Sequence, residues 1–168
     1  GPVIVYWPAL VDSKHIKEFV HINDKDVEIL PTSQLEFDEI YYQKAPVELE
    51  EIESGPETEI YFGDLYGTRS GDKGGCANLG VWSKDQKSYS FLYNYLTVSK
   101  LKELLPDLKR YKIERYELAN INSLNFYIHD ILQDGVSSNN RKDGQAKSLG
   151  EYLRAKKIKV PASITGEI

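Results

Sequence analysis

By its pattern of hydrophobic and polar positions, the chain divides into three stretches of different character. Lys17-Glu18-Phe19-Val20-His21-Ile22 and Asp26-Val27-Glu28-Ile29-Leu30 are strand-like, and Asn23-Asp24-Lys25 between them predicts a β-hairpin with a short polar loop. Ahead of the hairpin, Val3 to Trp7 is an apolar run, a strand or a buried anchor, ending at Pro8. From residue 31 to 57 the pattern turns acidic. Glu36, Asp38, Glu39, Glu48, Glu50, Glu51 and Glu53 gather around Pro46, as in a solvated connector. Leu35, Phe37, Ile40, Tyr41 and Tyr42 give it apolar anchors that could pack on a neighbour. The expected organisation is an N-terminal extension over 3–31, an acidic connector over 32–57 and one domain over 58–160.

Within that domain the elements come at regular intervals. Thr58 to Tyr66 and Asn78 to Ser83 are strand candidates on either side of a glycine-rich polar segment, and Asp85-Gln86-Lys87 is a turn. Phe91, Leu92, Tyr95, Leu101, Leu104 and Leu105 recur at helical spacing over 88–105. Thr97 is placed to cap a second helix within that span, and Pro106 to stop it. Tyr111, Ile113, Tyr116 and Leu118 alternate with charges, slipping at Glu114-Arg115, which predicts a bulged strand with one wet face. Leu124, Tyr127, Ile128, Ile131 and Leu132 predict a helix over 120–132, capped by Asn122 or Ser123 and ended by Gly135. His129 lies off its apolar face and is expected to be solvated. Residues 136–144 are polar loop. Leu149, Tyr152 and Leu153 predict a helix over 146–155, with Lys156 and Lys157 favourably near its carboxyl end, then a short strand or tail. This order predicts an α+β fold: a ferredoxin-like sandwich whose mainly antiparallel four-stranded sheet carries helices on one face.

Composition narrows the functional classes. At 168 residues, 40% hydrophobic and 28% charged, the chain suits one soluble domain plus an extension. A net charge of −5 argues against a nucleic-acid partner, and no apolar run is long enough to span a bilayer. A cytoplasmic location is expected. The single cysteine, Cys76, excludes an internal disulfide; a small buried thiol beside a strand is the commoner reading, a nucleophile the rarer. His15 and His21 fit no metal-ligand spacing, so neither metal nor cofactor is expected. Gly1-Pro2 looks like the remnant of tag removal and the chain holds no methionine, so further residues are expected upstream.

The stretch richest in chemistry is Arg69-Ser70-Gly71-Asp72-Lys73-Gly74-Gly75-Cys76-Ala77-Asn78. Read as a loop, its glycines would let backbone N–H groups converge on an anion, with Arg69 as a bidentate fork and Lys73 as a point charge. It matches neither a P-loop nor a dinucleotide fingerprint. The alternative is an ordinary turn with solvated charges, in which Arg69 and Asp72 form a local salt bridge.

The same stretch, continuing through Leu79-Gly80-Val81, resembles the signature A-R-S-G-D-K-G-x-x-A-N-I-G-V of the acyclic terpene utilisation protein A-like (AtuA-like) family. Arg115-Tyr116-Glu117-Leu118 resembles that family's R-Y-E-L-P-N, Leu124-Asn125-Phe126 its L-N-F, and Gly144-Gln145-Ala146-Lys147 stands where it has D-x-Q-G-K. Cys76 occupies a position that is usually polar and without sulfur. The resemblance, over 58 to about 155, implies the ferredoxin-like C-terminal domain of a larger protein, with a core domain of the same parent chain as partner; a homo-oligomer is expected because ferredoxin-like sheets often pair edges or faces and the tyrosines suit interfaces. It also implies a role in breakdown of acyclic terpenoids through CoA thioesters. Arg69, Ser70, Asp72, Lys73, Gly74, Asn78, Asn125, Arg141 and Lys147 would then form a site for a CoA-type or other anionic small molecule. No catalytic residue is assigned. Two functions are open: a binding and assembly domain, to which the many tyrosines are suited, or an enzyme half-site acting on a thioester or carboxylate at the glycine loop.

Overall fold

In the computed structural model, residues 9–29 and 47–166 are described. They belong to two compact units, 9–29 in one and 47–166 in the other. The run at Val3 to Trp7 and most of the acidic connector lie outside the described residues.

The first unit holds the expected hairpin. Strand β1 (Glu18–Ile22) pairs antiparallel with β2 (Lys25–Ile29), closing at Ile22 opposite Lys25. The two turn residues, Asn23 and Asp24, have φ of 48° and 62°. Asparagine and aspartate tolerate this left-handed region, and a tight turn of this kind matches the twist of the flanking strands. His21 meets Asp26 at 2.7 Å across the pair, and both strands are exposed throughout.

The second unit carries the domain. Strand β3 (Glu57–Tyr61) leads into the single turn α1 (Phe62–Leu65), so the strand expected to run to Tyr66 stops five residues early. The Asp64 carboxylate accepts the Tyr61 N–H at 2.9 Å, and Phe62 turns into the core with no exposed surface. Then come β4 (Gly67–Lys73) and β5 (Cys76–Trp82), the helices α2 (Gln86–Tyr95) and α3 (Val98–Leu104), and strands β6 (Ile113–Leu118) and β7 (Ser123–Ile128). Helix α4 (Leu149–Arg154), strand β8 (Lys157–Pro161) and the turn α5 (Ala162–Thr165) complete it. Strands β4, β5, β7 and β6 form, in that order, a four-stranded antiparallel sheet, and β3 pairs with β8 beside it. The architecture is the expected ferredoxin-like α+β arrangement.

Alternation gives the sheet two faces. Ala77, Leu79, Val81, Leu124, Phe126 and Ile128 point to one face and are fully buried, packed with Tyr89, Leu92, Leu96, Leu101 and Leu105 from the helical segment. Each such side chain contributes about 1.5–3 kcal/mol of burial. The opposite face carries Arg69, Gly71, Asn78, Gly80, Asn125, Tyr127 and Tyr116, partly or fully exposed.

Several local expectations are corrected. Residues 123–128 are a central strand, not a helix: Leu124, Phe126 and Ile128 share one face, which only a period of two allows. The segment after it turns through Asp130 and Gln133, both at positive φ, and Gly135 closes a turn rather than a helix. Strand β6 pairs with β7 in unbroken register from Ile113 to Leu118, without a bulge. The apparent slip arises because Arg115 and Glu117 face inward beneath α2. Arg115 donates to the Leu96 carbonyl at 3.2 Å, lies 4.7 Å from the Tyr93 ring centre and stands 3.6 Å from Glu117. A cation at the carboxyl end of α2 is also stabilised by the partial negative charge of the helix end. Asp85 is no turn residue but the cap of α2, accepting the Ser88 N–H at 2.8 Å. Thr97 caps α3 as expected, accepting the Lys100 N–H at 3.1 Å. The end of the connector packs on α2, where the Glu50 N–H reaches the Ser90 hydroxyl at 2.8 Å.

Candidate functional site

The glycine-rich segment is a hairpin, not a loop. Arg69 to Lys73 lie within β4, Cys76 to Asn78 within β5, and Gly74-Gly75 alone turn the chain. Gly74 has φ +63°. A side chain at Gly75 would collide with the backbone carbonyl of Gln133, and the Gly75 carbonyl takes the Leu132 N–H at 2.8 Å. These contacts clamp the turn under the 130–135 segment.

Strand geometry separates the expected site residues. Arg69 and Asp72, three apart, project to opposite faces and form no ion pair among the described residues. The Lys73 ammonium donates to the Asp72 carbonyl at 3.0 Å. Asn78 donates to Asn125 at 3.3 Å across β5 and β7, on the open face. Arg141 stands apart, lining a different cavity. Arg69, Ser70 and Lys147 do come together, at the outer edge of β4.

That edge is built by α4. The Ser70 hydroxyl donates to the Lys147 carbonyl at 3.1 Å and accepts the Gly150 N–H at 3.0 Å, pinning the helix to the strand. Helix and strand approach so closely that a Cβ at Gly150 would stand 2.7 Å from the Thr68 hydroxyl. Asp143 fixes the entry to α4 by accepting the N–H groups of Lys147 and Ser148 at 3.0 and 3.1 Å. The Asn139 amide binds the carbonyls of Gly135, Val136 and Gly144 and so shapes the preceding loop. Between strand and helix lies a pocket of about 220 Å³, lined by Thr68, Arg69, Ser70, Lys147, Gly150 and Glu151. Arg69 takes part although alternation sends it to the open face, because β4 is an edge strand. The buried Thr68 hydroxyl has no hydrogen-bond partner there. That hydroxyl is enclosed between β4 and α4, and the charges lining the pocket are two cations, Arg69 and Lys147, and one carboxylate, Glu151.

A second polar cluster occupies the open face near the hairpin. The Glu114 carboxyl is pushed down to about 2 by hydrogen bonds from Lys112 and Tyr116. His129 lies 3.4 Å from Glu114 and edge-on to Tyr127, so it is engaged rather than solvated. The Tyr127 phenol is raised, chiefly by its hydrogen bond to the Cys76 thiol. Cys76 itself is half-buried, not the buried thiol expected. Among the described residues, no three His, Cys, Asp or Glu side chains are grouped to hold a metal ion.

Sequence reasoning missed Thr68, Gly150, Asn139 and the inward Arg115–Glu117 pair. The available signal for Thr68 was its two-residue spacing from Ser70, which marks one face of a strand.

Sheet, helices and edge pocket together define a ferredoxin-like α+β domain with one open sheet face. The model of the AtuA ferredoxin-like domain matches residues 61–159, more than half of the sequence, and the chain belongs to that family. No curated protein and no solved structure matches it.

Proposed function

We propose that this domain is a ligand-binding and assembly module of a larger AtuA-like protein, and that it takes an anionic group in the pocket between β4 and α4. The observation that carries this reading is the convergence of two cations, Arg69 and Lys147, on one pocket at the edge of β4. A pocket of that size suits a phosphate or carboxylate, with the rest of a CoA-type molecule running over the exposed strand edge. Asp72, Lys73, Gly74, Asn78, Asn125 and Arg141 fall outside this reading of the site. A role in terpenoid or branched acyl-CoA breakdown, a core domain in the same parent chain and a cytoplasmic location draw their support from the family alone. Among the described residues, no helix is long and apolar enough to cross a membrane. Self-association is supported by Trp82, Tyr116 and Leu118, each 41–50% exposed at one end of the open sheet face. Aromatic residues of this kind are favoured in interfaces.

Calorimetry with inorganic phosphate, CoA and a branched acyl-CoA tests the anion site. Arg69→Ala and Lys147→Ala should each weaken binding about tenfold, the usual scale for one charge-assisted contact. Lys147→Ala keeps the backbone carbonyl that Ser70 uses, so its loss of affinity would reflect charge. Absence of binding to all three, or unchanged affinity in both variants, would remove the pocket as an anion site.

A further inference from the structure

A second cavity is lined by α4. It measures about 310 Å³ and lies between the turn after α3 (Pro106–Leu108), the Arg141–Asp143 segment and α4. Leu105, Leu108 and Leu149 form an apolar floor, at most 4% exposed. Arg141, Asp107, Asp143, Ser148, Glu151 and Tyr152 supply the polar wall.

The charges on that wall are unevenly satisfied. The Asp143 carboxylate accepts two backbone N–H groups, and Glu151 pairs with Arg154 at 3.6 Å. Asp107 is exposed and its carboxylate pairs with no side chain among the described residues, while the buried Arg141 Nε has no hydrogen-bond partner. Arg141 and Asp107 line one cavity yet form no ion pair with each other. A buried guanidinium N–H left unbonded is costly, and a carboxylate entering the cavity could satisfy it. A molecule bearing both charges could pair with each of them from within the cavity.

We propose that this cavity binds a small zwitterion with an apolar side chain, an apolar α-amino acid in chemical class. Its carboxylate takes the Arg141 guanidinium, its ammonium the Asp107 carboxylate, and its side chain lies on Leu105, Leu108 and Leu149. Arginine suits the first role because its planar fork matches a carboxylate. An apolar floor with a few convergent polar groups is the usual composition of small-molecule sites, and about 300 Å³ is the lower end of their size range. Ser148 and Tyr152 stand at the wall as further hydrogen-bonding groups.

The two pockets share Glu151, but Arg141 and Asp107 line only this one and Arg69 and Lys147 only the other, so either reading can fail alone. The test is calorimetry of the full chain with L-leucine, 4-methylpentanoate, which lacks the ammonium, and isoamylamine, which lacks the carboxylate. L-leucine should bind about tenfold more tightly than either analogue, since each has lost one charged hydrogen-bonding group. Arg141→Gln and Asp107→Asn should each weaken leucine about tenfold. They should also erase the preference over the analogue lacking the matching charge, a selective effect that general unfolding would not produce. Leucine binding no tighter than either analogue, no heat at all, or unchanged affinity in Arg141→Gln would overturn the proposal.

Discussion

Glycines in this domain do different work according to what stands opposite them. A methyl group at Gly75 meets the Gln133 backbone carbonyl, which cannot withdraw without moving the 130–135 turn. At Gly67 it meets the Trp82 indole, a side chain 41% exposed and free to swing outward. Gly75→Ala is therefore expected to cost about 2–3 kcal/mol by urea denaturation, and Gly67→Ala under about 1. Equal losses would mean that the hairpin clamp is not rigid. The candidate site was legible at this scale only in part. Arg69, Ser70 and Lys147 could be chosen by charge and hydrogen-bonding capacity, and the structure gathers them. Asn78, Asn125 and Arg141 have the same chemical credentials, but the direction in which a side chain leaves its strand or loop separates them. Residue type carries no information about that direction until the element is known.

The elements themselves divide by how uniquely their spacing speaks. The β1–β2 hairpin was readable because Asn23-Asp24 is turn chemistry between two short apolar runs. The break between α2 and α3 was readable from Thr97. Strand β7 was not, since Leu124, Ile128 and Leu132 are four apart, and multiples of four satisfy both a helical face and a strand face. Phe126 was the residue that could have decided it. Strand β4 was hidden for another reason: its inward positions are Thr68 and Ser70, and its outward ones Gly67, Arg69 and Gly71, so no apolar alternation exists. The caps give a test at this scale. Thr97→Ala should cost about 1 kcal/mol, Thr97→Ser much less, and Asp85→Ala up to about 2, because Asp85 also accepts the Ser88 hydroxyl at 2.9 Å. Chemical denaturation reads all three. A Thr97→Ala protein as stable as the parent would show that tertiary packing alone holds α3.

At the scale of the whole molecule, the domain's buried core runs, among the described residues, from Phe62 to Val160. A chain beginning at Val47 keeps every residue of that core and should unfold in one cooperative transition by circular dichroism. Loss of the sigmoidal transition would assign a stabilising role to the first 46 residues. The sheet order carries a different consequence, for the time the chain needs to fold. Both outer pairs, β4 with β5 and β6 with β7, join neighbours in sequence and close short loops. The central seam sets Ala77 opposite Ile128, with both long helices in between, so it closes only after the chain has surrendered the freedom of that whole span. The speed of folding is then governed by how soon two ready-made hairpins find each other, and the helices that later roof the core set the length of the search.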